Sequence, residues 1–564
     1  MDTVSQPMYG WEDTPWKQQE RNVFKLQKRI YKAASRNDVK AVHRLQRLLM
    51  KSWSAKCLAV RRVTQDNQGK KTAGVDGVKS LNPKQRLELA QNLNVKQKAK
   101  PTRRVWIPKP RTEEKRPLGI PTMRDRAAQA LVKLAFEPEW EAKFEPNSYG
   151  FRPGRSCQDA IEAIFCNISR KAKYVLDADI AKCFDRINHQ ALLDKLDTTP
   201  TLRRVIKGWL KAGVMEGGEM FPTTGGTPQG GVISPLLANI ALHGLEDTIV
   251  SAFPKQSKPA VVRYADDFVV LHQDLAAIEK AKQVASQWLA GMGLELKPSK
   301  TRVTHTLNKY NEEVGFDFLG FNVRQYPVGK THSGKTGGRK PTLLGFKTII
   351  RPSKEAISRH SLALREVVSR YKTAPQAGLI SQLNPIIWGW THYYSTVASK
   401  KTFSKMAHLT YLKLRRWARR RHSNKSWNWV ARKYWRLEKG KWDFATKDGS
   451  RLVNHAKTPI RRHIKVRGTK SPYDGDWVYW ASRMGRHPET HRRVAVLLQR
   501  QRGICTHCGL YFRNEDLLEI DHIIPTLLGG KDAYSNWQLL HRHCHDEKTI
   551  GDGSSTVKGA HDKS

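Results

Sequence analysis

Adjacent carboxylates close the stretch Tyr264-Ala265-Asp266-Asp267, between the apolar runs VVR and FVVL. That pattern predicts two buried strands joined by a tight turn with two acids at the turn. Desolvating a carboxylate there is costly unless a partner compensates, and a divalent cation is the obvious compensation. A second apolar strand, in VLDADIAKCFDRI, carries Asp177 and Asp179 at the same parity, so both can point to one face. Two-metal chemistry needs carboxylates from different strands around ions about 3.5–4 Å apart. Asp179 with Asp266 and Asp267 would supply them.

A different metal pattern lies far along the chain. Cys505-x-x-Cys508 has metal-ligand spacing, and His541-x-x-Cys544 repeats it with histidine in first place. Two such pairs around a strand-hairpin segment predict a closed tetrahedral zinc site, with His543 competing with His541 as the fourth ligand. A structural zinc would let a segment of about 60 polar residues fold by itself. A purely structural zinc ribbon leaves Asp521-His522 and Asn536 without a purpose.

These groups need elements to hold them. Residues 17–62 carry apolar side chains at spacings of three and four and read as helical. GVDGV, around Gly74–Gly77, is a turn. From about Arg103 to Arg351 short strands such as RVWIP, YVLDADI, AVVRYADDFVVLH and FDFLGFNVR alternate with helical stretches, which predicts an α+β region. A Gly/Lys/Pro-rich stretch marks a boundary near 325–345. Residues 353–437 turn helical and basic. Within 411–440 eleven Lys/Arg face one acid, Glu438, and Trp417, Trp427, Trp429 and Trp435 interleave them. Cations that hold phosphate beside rings that stack predict a nucleic-acid surface.

The 564 residues are too many for one core, and 39% hydrophobic content is enough for several. Lys+Arg number 100 against 51 Asp+Glu, a formal net charge of +49. Such a charge repels itself unless something acidic neutralises it, and a phosphate backbone is the expected partner. Cys57, Cys157, Cys166 and Cys183 are scattered and read as buried small hydrophobes. An odd, uneven cysteine set argues against a disulfide framework and for a reducing compartment. No run reaches the ~18 apolar residues of a membrane span. The expectation is a cytoplasmic, nucleic-acid-associated protein of bacterial or organellar origin, with no membrane partner and an oligomeric state that the residues leave open.

The order RRVWIPKP, KRPLGIPTMRDRAAQ, SYGFRPGRSCQDA, DADIAKCFD, GGTPQGGVISPLLANIAL, YADD, GLELKPSKT and VGFDFLGF resembles the successive motifs of group II intron reverse transcriptases, over about Arg103–Arg351. SQLNPIIWGWTHYYS resembles the maturase region, or domain X, and D-H…N…H over about 495–550 resembles the HNH endonucleases. The resemblance implies a multidomain α+β protein: a right-hand-like fingers/palm polymerase with an antiparallel palm sheet, an α-helical thumb (domain X), and a small zinc-bound ββα HNH domain. Its implied divisions are 1–65 for an N-terminal helical extension, 66–345 for fingers and palm, 346–440 for the thumb, 441–490 for a DNA-binding region or linker, and 491–564 for the nuclease.

Site roles follow by resemblance. Asp179, Asp266 and Asp267 would hold paired Mg²⁺. Phe184 would pack under the incoming sugar and exclude a 2′-hydroxyl. Gln229 would support the nascent base pair, with Gly230 and Gly231 letting backbone approach it. Lys109 and Arg116 would grip the triphosphate and Lys300 would lie near the leaving group. His522 would be the nuclease's general base, Asp521 and His545 would hold its divalent ion, and Asn536 would fix the histidine-bearing loop. Implied partners are intron RNA, target DNA and deoxynucleoside triphosphates. The implied function is reverse transcription primed by a nick in target DNA, together with assistance to intron splicing. A competing reading, an RNA-binding splicing cofactor with a vestigial polymerase, is opposed by the intact aspartates.

Overall fold

Amphipathic periodicity in the basic N-terminal region produces three helices, Trp16–Ala34, Val39–Lys51 and Trp53–Arg61. Asp38 caps the second by accepting a hydrogen bond from the Ala41 N–H. Their apolar faces pack on the helix Met123–Lys143, which is buried along most of its length and starts at a Thr122 cap. The computed structural model describes residues 10–552, apart from 109–112, 337–339, 439, 477–478, 481–482, 484–490 and 514–515.

A four-stranded sheet forms the centre. Its order is Ala260–Tyr264, Asp267–His272, Tyr174–Asp179, Arg302–His305, with every neighbouring pair antiparallel. Period-two alternation divides its side chains between two cores. Leu176, Ala178, Val261, Phe268 and Val270 join the core built on the N-terminal and central helices. Val175, Val262, Val269 and Leu271 join a second core under the helix Cys157–Ile168. A second sheet runs Lys115–Ile120, Thr102–Pro108, Val214–Glu216, Glu219–Phe221.

The stretch FDFLGFNVR is not one strand. Leu319 and Gly320 both adopt positive φ, +50° and +79°, and fold it into the hairpin Phe316–Phe318/Phe321–Pro327. The strand Phe321–Pro327 pairs onward with Phe346–Pro352. The expected boundary near 325–345 is therefore the connection within a hairpin, and Ile350 packs in the same core as Phe318 and Val323.

Four helices follow, Lys354–Arg370, Gln376–Tyr393, Lys400–Arg420 and Trp427–Tyr434, around Leu364, Leu383, Ile387 and Leu414. Trp417 and Trp435 belong to that core, while Trp429 is exposed. Of the scattered cysteines, Cys57 and Cys183 are buried as expected, but Cys157 is only half-buried and Cys166 is exposed.

The segment after the hairpin Trp435–Glu438/Lys441–Phe444 returns across the molecule as a strap. Asp159, fully buried on the helix Cys157–Ile168, accepts hydrogen bonds from the His463 ring at 3.2 Å, from the Val466 N–H at 2.8 Å and from Arg483. Arg155 donates to the carbonyls of Gly468 and Lys470. The Tyr473 hydroxyl donates to Glu137 at 2.8 Å. The C-terminal unit then forms the strands Leu518–His522 and Trp537–His541 and the helix Arg542–Gly551.

Among the described residues, no helix is long and apolar enough to cross a membrane.

Candidate metal centres

The central sheet brings the three acids together by register alone. Asp179 ends its strand directly opposite Asp267, and Tyr264 opposes Asp267 across the hairpin, leaving Ala265 and Asp266 as the turn. Directly opposed residues share a face, so the two carboxylates stand side by side with Cβ atoms about 4.5–5.5 Å apart. The Asp266 carbonyl accepts a hydrogen bond from the Ile180 N–H at 3.2 Å, which ties the turn to the chain after Asp179. Burial raises the Asp267 carboxyl to about 7, and Asp266 and Asp179 add like charge. Burial also raises Asp266, against a backbone hydrogen bond. Such a crowded, half-dehydrated trio is the environment a divalent cation relieves.

Asp177 shares the parity of Asp179 but has another partner. Arg302 Nε lies 3.0 Å from its Oδ2, and Arg302 also bonds Glu313. Burial nevertheless pushes the Asp177 carboxyl up to about 6.

The turn is strained and braced from beneath. Ala265 has φ +58°, which costs a non-glycine residue about 1–2 kcal/mol. Arg263, buried within the apolar strand, donates to the Ala265 carbonyl and to Asn239 Oδ1, both at 3.2 Å. Asn239 in turn donates to the Gly150 carbonyl at 2.7 Å. Gly150 lies so close that an added Cβ would meet the Ala265 nitrogen at 2.4 Å. None of these bracing residues was expected from sequence. An arginine inside the run AVVRY was the signal available, because a buried guanidinium requires a built receptor.

Around the trio, Lys300 Nζ lies 2.5 Å from Asp179 Oδ2. Arg116 is exposed on the strand Lys115–Ile120, and its charge reaches Asp266. Lys109 lies outside the described residues, just past the strand Thr102–Pro108. Phe184, half-buried on the short helix Cys183–Arg186, meets the exposed Phe151 edge to face at 6.0 Å. Gln229 Nε2 donates to Asp185 at 3.1 Å, and the Gln229 carbonyl accepts from the Gly119 N–H at 2.7 Å. Gly230, at φ +117°, lies against that strand, where a Cβ would meet the Gly119 carbonyl oxygen at 2.9 Å.

In the C-terminal unit, Cys505, Cys508, His541 and Cys544 are all buried, and one ligand atom from each lies within 4.8 Å of the others. Three soft thiolates and an imidazole at that spacing fit a tetrahedral zinc. His541 Nδ1 faces Cys508 Sγ at 3.3 Å, while Nε2 faces Asp516 at 3.3 Å. A carboxylate behind a ligating imidazole fixes its orientation and raises its basicity. His543, the competing ligand, points elsewhere: its Nδ1 lies 3.2 Å from Arg61 Nη2 and 3.6 Å from Glu20 on the N-terminal helices.

Asp521 and His522 end one strand of this unit. Asp521 accepts from Gln538 at 2.8 Å, lies 3.1 Å from Lys548 Nζ, and faces His545 Nε2 at 3.9 Å. His522 Nε2 is 3.1 Å from Asp532, and the Trp537 indole donates to that same Asp532 oxygen at 2.8 Å. Asn536 accepts from the Ile524 N–H and donates to the carbonyls of Ile524 and Lys531, so its side chain staples the loop after His522. Asp516, Asp532, Gln538 and Lys548 were missed in the sequence, because they come from two loops, a strand and a helix and share no spacing with the motif they support.

Comparison with known proteins finds four family matches in succession along the chain. Residues 107–323 match the family described as reverse transcriptase (RNA-dependent DNA polymerase), and residues 11–93 the N-terminal domain of reverse transcriptase. Residues 357–435 match the group II intron maturase-specific domain, and residues 505–550 the HNH endonucleases. Protein YkfC of Escherichia coli is 30% identical over 345 residues, covering 53% of this chain and 88% of that protein. Group II intron-encoded protein LtrA of Lactococcus lactis subsp. cremoris is 34% identical over 207 residues, 36% of this chain and 34% of LtrA. Maturase-like protein 1 of Euglena gracilis is 28% identical over 397 residues, 67% of this chain and 76% of that protein.

Proposed function

This chain belongs to the group II intron-encoded reverse transcriptase/maturase family, with an HNH endonuclease domain, and from that premise we propose how its residues divide the work. The central sheet and its bracing helices are a palm, the sheet of Thr102–Pro108 and Lys115–Ile120 is fingers, and the four-helix unit is a thumb. Intron RNA and target DNA are the partners, with deoxynucleoside triphosphates as substrates.

The single observation that carries the polymerase reading is the direct register of Asp179 against Asp267 beside the Asp266 turn. Asp179, Asp266 and Asp267 would hold a pair of magnesium ions, which lower the barrier to attack by a primer 3′-hydroxyl and neutralise the departing pyrophosphate. Lys300 and Arg116 place positive charge beside the same acids, as triphosphate recognition requires, and Lys109 is assigned the same role. Phe184 closes the floor of the sugar site and rejects a 2′-hydroxyl by volume. Gln229, held between Asp185 and Gly119, presents the loop that supports the new base pair.

In the nuclease, Cys505, Cys508, His541 and Cys544 would bind zinc, which supplies the folding energy of the unit. Asp521 and His545 would hold one divalent ion against the scissile phosphate. His522, oriented by Asp532, takes a proton from the attacking water. Asn536 keeps the loop beyond His522 in place. A nick made here yields the 3′-end that the palm extends.

Primer extension on an RNA template tests the polymerase assignment. Wild type should incorporate deoxynucleotides in Mg²⁺, and Asp266→Asn should lose at least about 10³-fold of that rate. Inactivity of wild-type protein loaded with its copurified RNA would instead favour the splicing-cofactor reading.

A further inference from the structure

The loop that leaves His522 exposes a row of large apolar side chains. Ile523 is 47% exposed, Ile524 53%, Leu527 64% and Leu528 68%. None of them belongs to the core around Leu497, Phe512 and Leu539 that holds the unit together. Isolated exposed leucines are ordinary, but four large aliphatic residues within six positions are a patch that implies a partner.

The patch stands on a rigid support. Thr526–Leu528 form a turn of 3₁₀ helix ended by Gly529 at φ +83°. The N–H groups of Leu528 and Gly530 both donate to the Pro525 carbonyl. Gly530 is packed so tightly that a Cβ would fall 1.9 Å from the Ile524 oxygen. Asn536, itself buried, makes three hydrogen bonds across the loop. The neck of the loop is the His522–Asp532 contact, so the apolar tip is carried by the residue proposed as the general base.

Cations stand beside the loop, together with the acids Asp521 and Asp532 at its two ends. Lys531 is exposed at the end of the loop, and the Arg493 guanidinium covers the Trp537 ring at 4.4 Å on the Asp532 side. Residues 523–531 contain no acid. An acid-free apolar tip with exposed Lys531 at its end suits a duplex whose phosphates meet the cation while the tip enters between bases.

We propose that Leu527 and Leu528 form a wedge that enters a base step of duplex DNA beside the phosphate to be cut, unstacking that step so that the strand reaches His522. Apolar wedges of this kind exchange a few kcal/mol of lost stacking for bent DNA that contacts more protein. The proposal rests on the assignment of this unit as the nuclease.

The test uses the full-length protein with short duplexes, either fully paired or with one mismatch at successive positions. Nick positions and rates are read by sequencing the ends. Leu527→Ala/Leu528→Ala should nick paired DNA at least about tenfold more slowly than wild type. It should recover to within about threefold on duplexes whose mismatch already opens the step next to the nick. Bound zinc, measured in the same preparations, shows that the variant unit is folded. Equal rates of wild type and variant on paired DNA would overturn the wedge, as would an equal loss on paired and mismatched DNA. Selective loss of binding to anionic lipid vesicles, with nicking unchanged, would assign the patch to a membrane surface instead. Failure of wild type to nick any duplex above a His522→Ala control would overturn the nuclease assignment, and the wedge with it.

Discussion

Asp267 is the residue at which protonation and the proposed metal binding meet. Its folded-state value, about 7, lies above the ordinary aspartate value near 3.8. A raised folded value means that stability is fully present below the unfolded value and is lost as pH climbs through the folded one. Metal-free protein should therefore weaken between about pH 4 and 7 at this site, and bound Mg²⁺ should restore more stability at pH 8 than at pH 6. Asp267→Asn should raise the Tm of metal-free protein at pH 8, corresponding to roughly 2 kcal/mol, with the gain vanishing toward pH 4, while primer extension is lost. Thermal melts across that pH range with and without Mg²⁺ check this. Phe184→Ala should relax sugar discrimination by about 1–3 kcal/mol, read as the ratio of ribonucleotide to deoxynucleotide incorporation.

At the scale of elements, the acid-bearing hairpin of the central sheet depends on a clasp rather than on its own turn residues. Arg263, Asn239 and Gly150 hold the strained Ala265 from below. Gly150→Ala should push the hairpin away and lower polymerase kcat at least about tenfold, at a stability cost of about 1–3 kcal/mol, while nicking by the C-terminal unit is unchanged. The two strands that bear acids were legible in the sequence because parity and apolar flanks specify a strand and its face. The clasp was not, because its members come from three elements far apart in the chain and share no spacing. The Phe316–Pro327 hairpin was read as one strand because its apolar alternation continues across Leu319-Gly320, and only the positive φ values reveal the turn. Between the two histidines offered as a fourth zinc ligand, direction supports His541, which faces the cysteines, whereas His543, two residues on, faces Arg61.

At the scale of the molecule, the chain is laced back on itself. The strap through His463 and Tyr473 docks on the helices Cys157–Ile168 and Met123–Lys143, and the C-terminal unit meets the N-terminal helices through His543 with Arg61 and Arg513 over Phe24. The docking of the strap segment was not legible in the sequence, because buried polar contacts such as those of His463 and Tyr473 leave no periodicity. Asp159→Asn removes a buried charge from facing His463 and Arg483. It should cost about 3–5 kcal/mol and expose the strap to limited proteolysis, whereas Glu162→Gln one turn along the same helix should not. Zinc chelation should unfold the C-terminal unit and abolish nicking while primer extension persists, since structural zinc contributes folding energy directly to the unit that binds it.

Counting bound Mn²⁺ by electron paramagnetic resonance probes the proposed metal pair most directly. The complex would hold a primer that lacks its 3′-hydroxyl, an RNA template and a matching deoxynucleoside triphosphate. Wild type should bind about two more ions in this complex than Asp179→Asn/Asp266→Asn, and Asp179→Asn alone should lose at least one. Unchanged Mn²⁺ occupancy in Asp179→Asn, with primer extension at the wild-type rate, would contradict the convergence of the three carboxylates on a common pair of ions.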